Sequence, residues 1–104
     1  MPLPVALERR GAAETTVYAT NLSASGVCIH LREALPVGDA VLLRFALPGE
    51  TGVLLARGRV SWCEEPPAIE RARFVEAGVR FEVLAEPDRE RIGRFVRACD
   101  PALS

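Results

Sequence analysis

The residues of this chain best suited to specific recognition lie in the segment 21–26, whose sequence is NLSASG. Asn and Ser side chains hydrogen-bond to ligands, and they also bond to their own backbone in turns. Glycine allows a positive φ or a close approach of the backbone to another group. The segment therefore offers the chemistry of a polar turn, and Asn21, Ser23 and Gly26 are its candidate site residues.

Other reactive side chains do not form a recognisable catalytic or metal-binding motif. The single histidine, His30, has no acid or nucleophile arranged around it in the sequence. Cys28 shares a strand face with His30, but zinc ligands usually come in close pairs such as Cys-x-x-Cys, which this sequence lacks. Together with Cys63 and Cys99 these thiols are odd in number and far apart, which favours buried, reduced cysteines. We predict no enzyme activity, no catalytic residue and no metal site.

The composition limits the classes of partner. The net charge is −1, so a broad nucleic-acid-binding surface is not indicated. Trp62 and Tyr18 are the only Trp and Tyr, too few for a platform that stacks single-stranded bases. No run of about 18 apolar residues and no signal segment is present, which predicts a cytoplasmic protein without membrane insertion.

The hydrophobic pattern predicts a mainly β fold. Period-two alternation and β-branched residues indicate six strands, at about 3–10, 15–20, 27–31, 39–47, 52–63 and 74–84. Apolar residues at i, i+3, i+4 and i+7 predict a C-terminal helix at about 87–99, with the stripe Ile92, Phe95, Val96 and Cys99. We therefore predict one domain over residues 1–104, a small six-stranded antiparallel β-barrel (about 3–84) with one C-terminal α-helix.

The alternation also assigns side chains to the two faces of the sheet. The predicted core residues are Leu43, Phe45, Val60, Trp62 and Phe81, with Val79 and Val83 in the same inward phase. Four arginines fall on the outward phase, Arg44, Arg57, Arg59 and Arg80. They form either a basic patch for an acidic partner or a solvated barrel face.

The segment 21–26 resembles the (Asp/Asn)-x-Ser-x-x-Gly signature of PilZ domains, small bacterial β-barrels, many of which bind cyclic di-GMP. Three further segments are similar to the family and follow its order: LPVG at 35–38, ARGRVSW at 56–62 and AGVRF at 77–81. The resemblance covers roughly residues 15–99. It implies that Asn21, Ser23 and Gly26 contact cyclic di-GMP where that ligand is bound.

The upstream Arg-x-x-x-Arg motif that such receptors carry does not occur in this sequence. Arg9 is followed four places later by Ala13, and Arg10 by Glu14. Both arginines are expected at the end of the first strand, about 20 Å from the 21–26 segment. The sequence is expected to begin inside the first strand, without the arm that carries the motif.

These observations give two hypotheses for function. The first is a non-enzymatic PilZ-type regulatory domain of motility, pili or envelope, which acts through protein–protein contacts and has a degenerate cyclic di-GMP site. Under this hypothesis the protein has no cofactor, and cyclic di-GMP is not expected to bind strongly. The alternative is a cyclic di-GMP receptor that uses Asn21–Gly26 with compensating arginines from elsewhere. The protein partner, the pathway and the oligomeric state stay open.

Overall fold

The computed structural model describes residues 3–64 and 74–99. The strands are β1 Leu3–Arg9, β2 Thr15–Leu22, β3 Gly26–Leu31, β4 Ala40–Phe45, β5 Leu54–Cys63 and β6 Val75–Val83, and the helix α1 is Glu86–Cys99. The predicted fold class is confirmed. Short turns with glycine at positive φ join several strands, as at Gly38 and Gly49, where a side chain would be strained.

The strands close into a barrel in the order β1-β2-β3-β6-β5-β4. Every neighbouring pair is antiparallel. Leu7 pairs with Thr15 and Leu3 with Ala19, so β1 runs away from the 21–26 segment. Arg9, the last residue of β1, therefore lies at the opposite end of the barrel from that segment, as predicted.

The core fills the inside of the barrel with aliphatic and aromatic side chains. Leu43, Phe45, Val60 and Phe81 are buried there, which confirms four of the five predicted core residues. Val79, assigned to the same inward phase, is buried as well, and Leu54 and Ile29 extend the core along β5 and β3. Five of the seven residues assigned to the inward phase are thus buried, because inward and outward side chains alternate along a strand.

Trp62 was predicted in the core, and this prediction is wrong, since the side chain is 46% exposed. Val60 pairs with Val79 and Trp62 with the adjacent residue Gly78, so β5 carries one extra residue, Ser61, at this point. Such a β-bulge reverses the inward–outward phase beyond it. The indole consequently lies on the outer surface of the barrel.

Val83 was also predicted to point inward, and it is 61% exposed. Here the extra residue is on β6, because Arg57 pairs with Val83 while the next residue, Gly58, pairs with Phe81. Glu82 is the additional residue, and the phase reverses after it. Leu84 then takes the buried position instead.

The helix packs one apolar stripe against the barrel, as its spacing predicted. Ile92 is fully buried, and Phe95 and Val96 are partly buried against the core. The position of the Cys99 side chain lies outside the described residues. Arg91 fixes the helix to the β4–β5 loop, because its guanidinium donates to the Glu50 carboxylate at 2.9 Å and to the Thr51 carbonyl at 3.0 Å.

Candidate ligand-binding groove

The 21–26 turn uses its serines to stabilise its own backbone. The Ser23 amide donates to the Gly26 carbonyl at 2.9 Å, and the Ser23 hydroxyl donates to the same carbonyl at 3.3 Å. The Ser25 amide donates in return to the Ser23 hydroxyl oxygen at 3.2 Å. The Ser23 side chain thus acts as both donor and acceptor within the turn, as serine commonly does in such loops.

Two other elements hold the remaining carbonyls of this turn. The Phe81 amide of β6 donates to the Ser25 carbonyl at 2.9 Å. The Arg89 guanidinium of α1 donates to the Ala24 carbonyl. Three consecutive carbonyls, from residues 24 to 26, therefore accept hydrogen bonds from within the fold, and the turn is fixed to both the barrel and the helix.

Gly26 serves a close approach rather than a positive φ. It is absent from the glycines with positive φ, which corrects the suggestion that it supplies a left-handed turn residue. A Cβ atom at Gly26 would lie 2.4 Å from the Val79 carbonyl oxygen. The glycine is required because β6 passes directly beside it.

An open groove of about 680 Å³ lies on the outer surface next to the turn. Asn21 pairs with Cys28, Cys28 with Gly78, and Gly78 with Trp62, so these residues form one row across β2, β3, β6 and β5. Gly78 has no side chain, and the Trp62 indole occupies the space over it, since a Cβ there would lie 2.1 Å from its Nε1. The candidate residues Asn21, Ser23 and Gly26 all line this groove.

Among the groove residues outside the sequence motif, Arg80 and Trp62 have the side chains best suited to bind a nucleotide. Arg80 pairs with Gly26 on the neighbouring strand and lines the groove. Trp62 lines the side opposite Asn21. A guanidinium can bind an anion or a base edge, and an exposed indole can stack on a base. The sequence signal for an outward Trp62 was Gly78 on the paired strand. A glycine there leaves room for a large side chain to lie over the strand.

Cys28 and His30 lie beside the groove and share one carboxylate. The Cys28 thiol donates to Glu76 Oε2 at 3.4 Å, and His30 Nε2 lies 3.7 Å from Glu76 Oε1. Partial burial, together with the hydrogen bond to Glu76, raises the pKa of the Cys28 thiol above its ordinary value. The thiol is therefore less reactive than a free one at neutral pH. Within residues 3–64 and 74–99, no His, Cys, Asp and Glu side chains cluster in groups of three or more suited to a metal.

Three arginines of the barrel strands are held by carboxylates. Arg9 donates through Nε and Nη2 to Asp39 Oδ2, at 3.1 and 2.7 Å. Arg44 lies 2.6 Å from Glu14 and Arg59 lies 3.1 Å from Glu82. Arg9 therefore cannot extend to the groove, which lies at the other end of β2.

The fold is thus a closed six-stranded barrel with a helix packed against it, and a polar groove lies on its outer surface beside the 21–26 turn. The sequence matches the family profile of the PilZ domain over residues 1–98. The chain belongs to the PilZ family, as its motifs predicted. It is a PilZ-type regulatory domain.

The fold is shared with a solved structure. "Structure of Bacillus subtilis Inhibitor of motility (MotI/DgrA)" superposes with a TM-score of 0.78 at 18% identity, covering 95% of this chain and 47% of that chain. The present chain thus spans about half of that protein. No curated protein sequence matches the chain significantly. In the part of the molecule that the structure describes, no helix has the length and apolar character needed to cross a membrane.

Proposed function

We propose that this PilZ domain regulates a bacterial process, such as motility, pilus function or envelope assembly, by contact with a protein partner. In this proposal the groove is a degenerate cyclic di-GMP site. The observation that carries it is the internal hydrogen bonding of the 21–26 turn. Ser23 and three carbonyls are used within the fold, and Gly26 is needed where β6 passes beside it, so two of the three motif residues have a structural function here.

The residues present fit cyclic di-GMP only in part. The ligand carries two phosphate charges and guanine edges rich in acceptors, for which arginine is well suited. Arg80 is the arginine among the described groove residues, and Arg9 is held by Asp39 elsewhere. Each charged hydrogen bond contributes about 1.5–3 kcal/mol, so two missing arginines lower the affinity by about 10²–10⁴.

Calorimetric titration of cyclic di-GMP onto the purified chain tests the degenerate site. The expected result is a Kd weaker than about 10 μM, a binding free energy less favourable than about −7 kcal/mol. Tighter binding would overturn this part of the proposal.

The protein-contact part is tested in the bacterium that encodes the chain. A deletion is expected to change swimming, twitching or polysaccharide output, and a double variant, Asn21→Ala with Arg80→Ala, is expected to restore the parent behaviour. If the double variant behaved like the deletion, regulation would depend on groove occupancy instead.

The second candidate is a cyclic di-GMP receptor with a compensating arginine, and Arg80 is the observation that favours it. Arg80 lies beside Gly26, and Trp62 offers a surface on which a base can stack. In that case Arg80→Ala would weaken binding by about tenfold or more. Arg94→Ala, an exposed helix position outside the groove, is the matched control.

A further inference from the structure

A second surface lies on the outside of the barrel where β5 meets β6. Val53, Leu55 and Val83 are 59%, 52% and 61% exposed, although aliphatic side chains of this size are usually buried. Arg57 is exposed between them. We call these four residues the β5 patch.

The strand register makes this patch continuous. Leu55 and Arg57 are two residues apart on β5 and therefore point to the same side. Val83 is the direct partner of Arg57 on β6, and it faces outward because of the bulge at Glu82. Along its own strand Arg57 thus lies between the outward residues Leu55 and Arg59, and Val83 lies beside it on β6.

The charge of the patch is unbalanced. Among the residues that the structure describes, no carboxylate forms a salt bridge with Arg57. Its neighbours are compensated, since Arg44 pairs with Glu14 and Arg59 with Glu82. Arg57 is therefore the positive charge of this region that has no counter-ion among the described residues, and it lies beside the exposed side chains of Leu55 and Val83.

We propose that the β5 patch is the partner-binding surface, and that its partner is a protein segment in which a carboxylate is flanked by aliphatic side chains. This inference rests on the proposed function, because it assigns the protein contact to one face. The carboxylate pairs with Arg57, while the aliphatic groups cover Leu55 and Val83. A second copy of the chain fits less well, since a two-fold contact would place the two Arg57 guanidinium groups together without a counter-ion.

The test uses nitrogen-15-labelled full chain and two synthetic peptides of equal length, one alternating Glu with Leu and the other Lys with Leu. The Glu peptide is expected to shift the amide resonances of residues 53–57 and 83, and the Lys peptide to leave them in place. Added salt should weaken the interaction, because the charge pair is exposed to solvent.

Substitutions in the patch make the test specific. Arg57→Glu is expected to lower the affinity for the Glu peptide by about tenfold and to allow the Lys peptide to bind. Leu55→Ser should lower the affinity for the Glu peptide, and the Lys peptide should still not bind. Arg94→Glu makes the same charge change on an exposed part of α1 and should leave both results unchanged. All three positions are exposed, so the fold should be retained.

Several outcomes would overturn the assignment. They are equal binding of the two peptides, shifts confined to another face, a dimer in sedimentation that Val83→Ser abolishes, or binding through Arg57 to vesicles of phosphatidylcholine and phosphatidylglycerol. Tight cyclic di-GMP binding would contradict the degenerate site and leave the peptide result standing. If neither peptide shifted the resonances of the patch while deletion of the protein still changed the behaviour of the cell, the β5 patch would be excluded as the binding surface. The proposed function would then still stand.

Discussion

The groove and the β5 patch both include residues of β5 and β6. They differ in whether the polar groups beside them already have hydrogen-bond or charge partners within the fold. At one end of the β5–β6 pair, the extra residue Ser61 turns Trp62 outward over Gly78, beside a turn whose polar groups are already bonded. Towards the other end, the extra residue Glu82 turns Val83 outward next to an arginine without a described partner. The comparison shows that a bulge creates a surface, while the neighbouring side chains decide whether that surface is internally satisfied or open to a partner.

The largest expected effect separates Phe81 from Val83. Phe81→Ala should lower the free energy of unfolding by about 3–5 kcal/mol, because it removes a buried aromatic ring. Val83→Ala should change it by less than about 0.5 kcal/mol, since the side chain is exposed. Chemical denaturation of both variants measures the difference. Equal, large losses would mean that the bulge at Glu82 is absent and that the strict alternation holds.

Gly26→Ala tests how closely the turn is packed against β6. The new Cβ would lie 2.4 Å from the Val79 carbonyl oxygen, and a backbone atom cannot move aside cheaply. We expect a loss of about 1–3 kcal/mol in the free energy of unfolding. A variant as stable as the parent protein would show that the turn can shift, and the groove would then be less rigid than the patch.

Ser23→Ala tests whether the motif serine stabilises the turn. It removes one donor and one acceptor of the turn and should cost about 1 kcal/mol of stability. The matched change Asn21→Ala should cost less than about 0.5 kcal/mol, because the described residues offer its side chain no hydrogen bond. Denaturation midpoints of the two variants would be compared. The reverse order would indicate that Asn21, rather than Ser23, supports the fold.

Gly78→Ala sharpens the description of the first bulge with a spectroscopic measurement. Its Cβ would lie 2.1 Å from Trp62 Nε1, so the indole must leave its position over the strand. Because Trp62 is the only tryptophan, its fluorescence should shift to longer wavelength as the ring enters solvent. Val83→Ala is the control and should leave the emission unchanged. An unshifted spectrum in Gly78→Ala would place the ring elsewhere.

The smallest expected effect concerns pH. Partial burial and the hydrogen bond to Glu76 raise the pKa of the Cys28 thiol, so the folded state favours the protonated form. This contribution to stability is fully present below the pKa of the unfolded thiol, and it is lost as pH rises through the folded pKa. The alkaline decline in stability should therefore be shallower in Cys28→Ser. Identical profiles of stability against pH for the variant and the parent protein would contradict a contribution from Cys28.

Local patterns in the sequence were sufficient for the strands, the helix and five of the seven residues assigned to the inward phase, because period two and period 3.6 directly reflect which face is buried. They failed at Trp62 and Val83, since each follows a bulge that depends on pairing with the partner strand, and the order of apolar and polar residues in the sequence does not reveal the bulge. The turn residues Asn21, Ser23 and Gly26 were identified from their motif. Arg80 was not assigned to the groove, because its place beside Gly26 arises from the pairing of β3 with β6.

Closure of the barrel restricts the way in which any partner can approach. Each of the six strands has a hydrogen-bonded neighbour on both sides, so no strand presents a free edge along its whole length. A partner therefore finds no complete open edge to which it could add a strand, the feature that this mode of recognition requires. Selectivity must then reside in side chains displayed on the outside of the barrel, which evolution can exchange one at a time without disturbing the hydrogen bonds that hold the strands together.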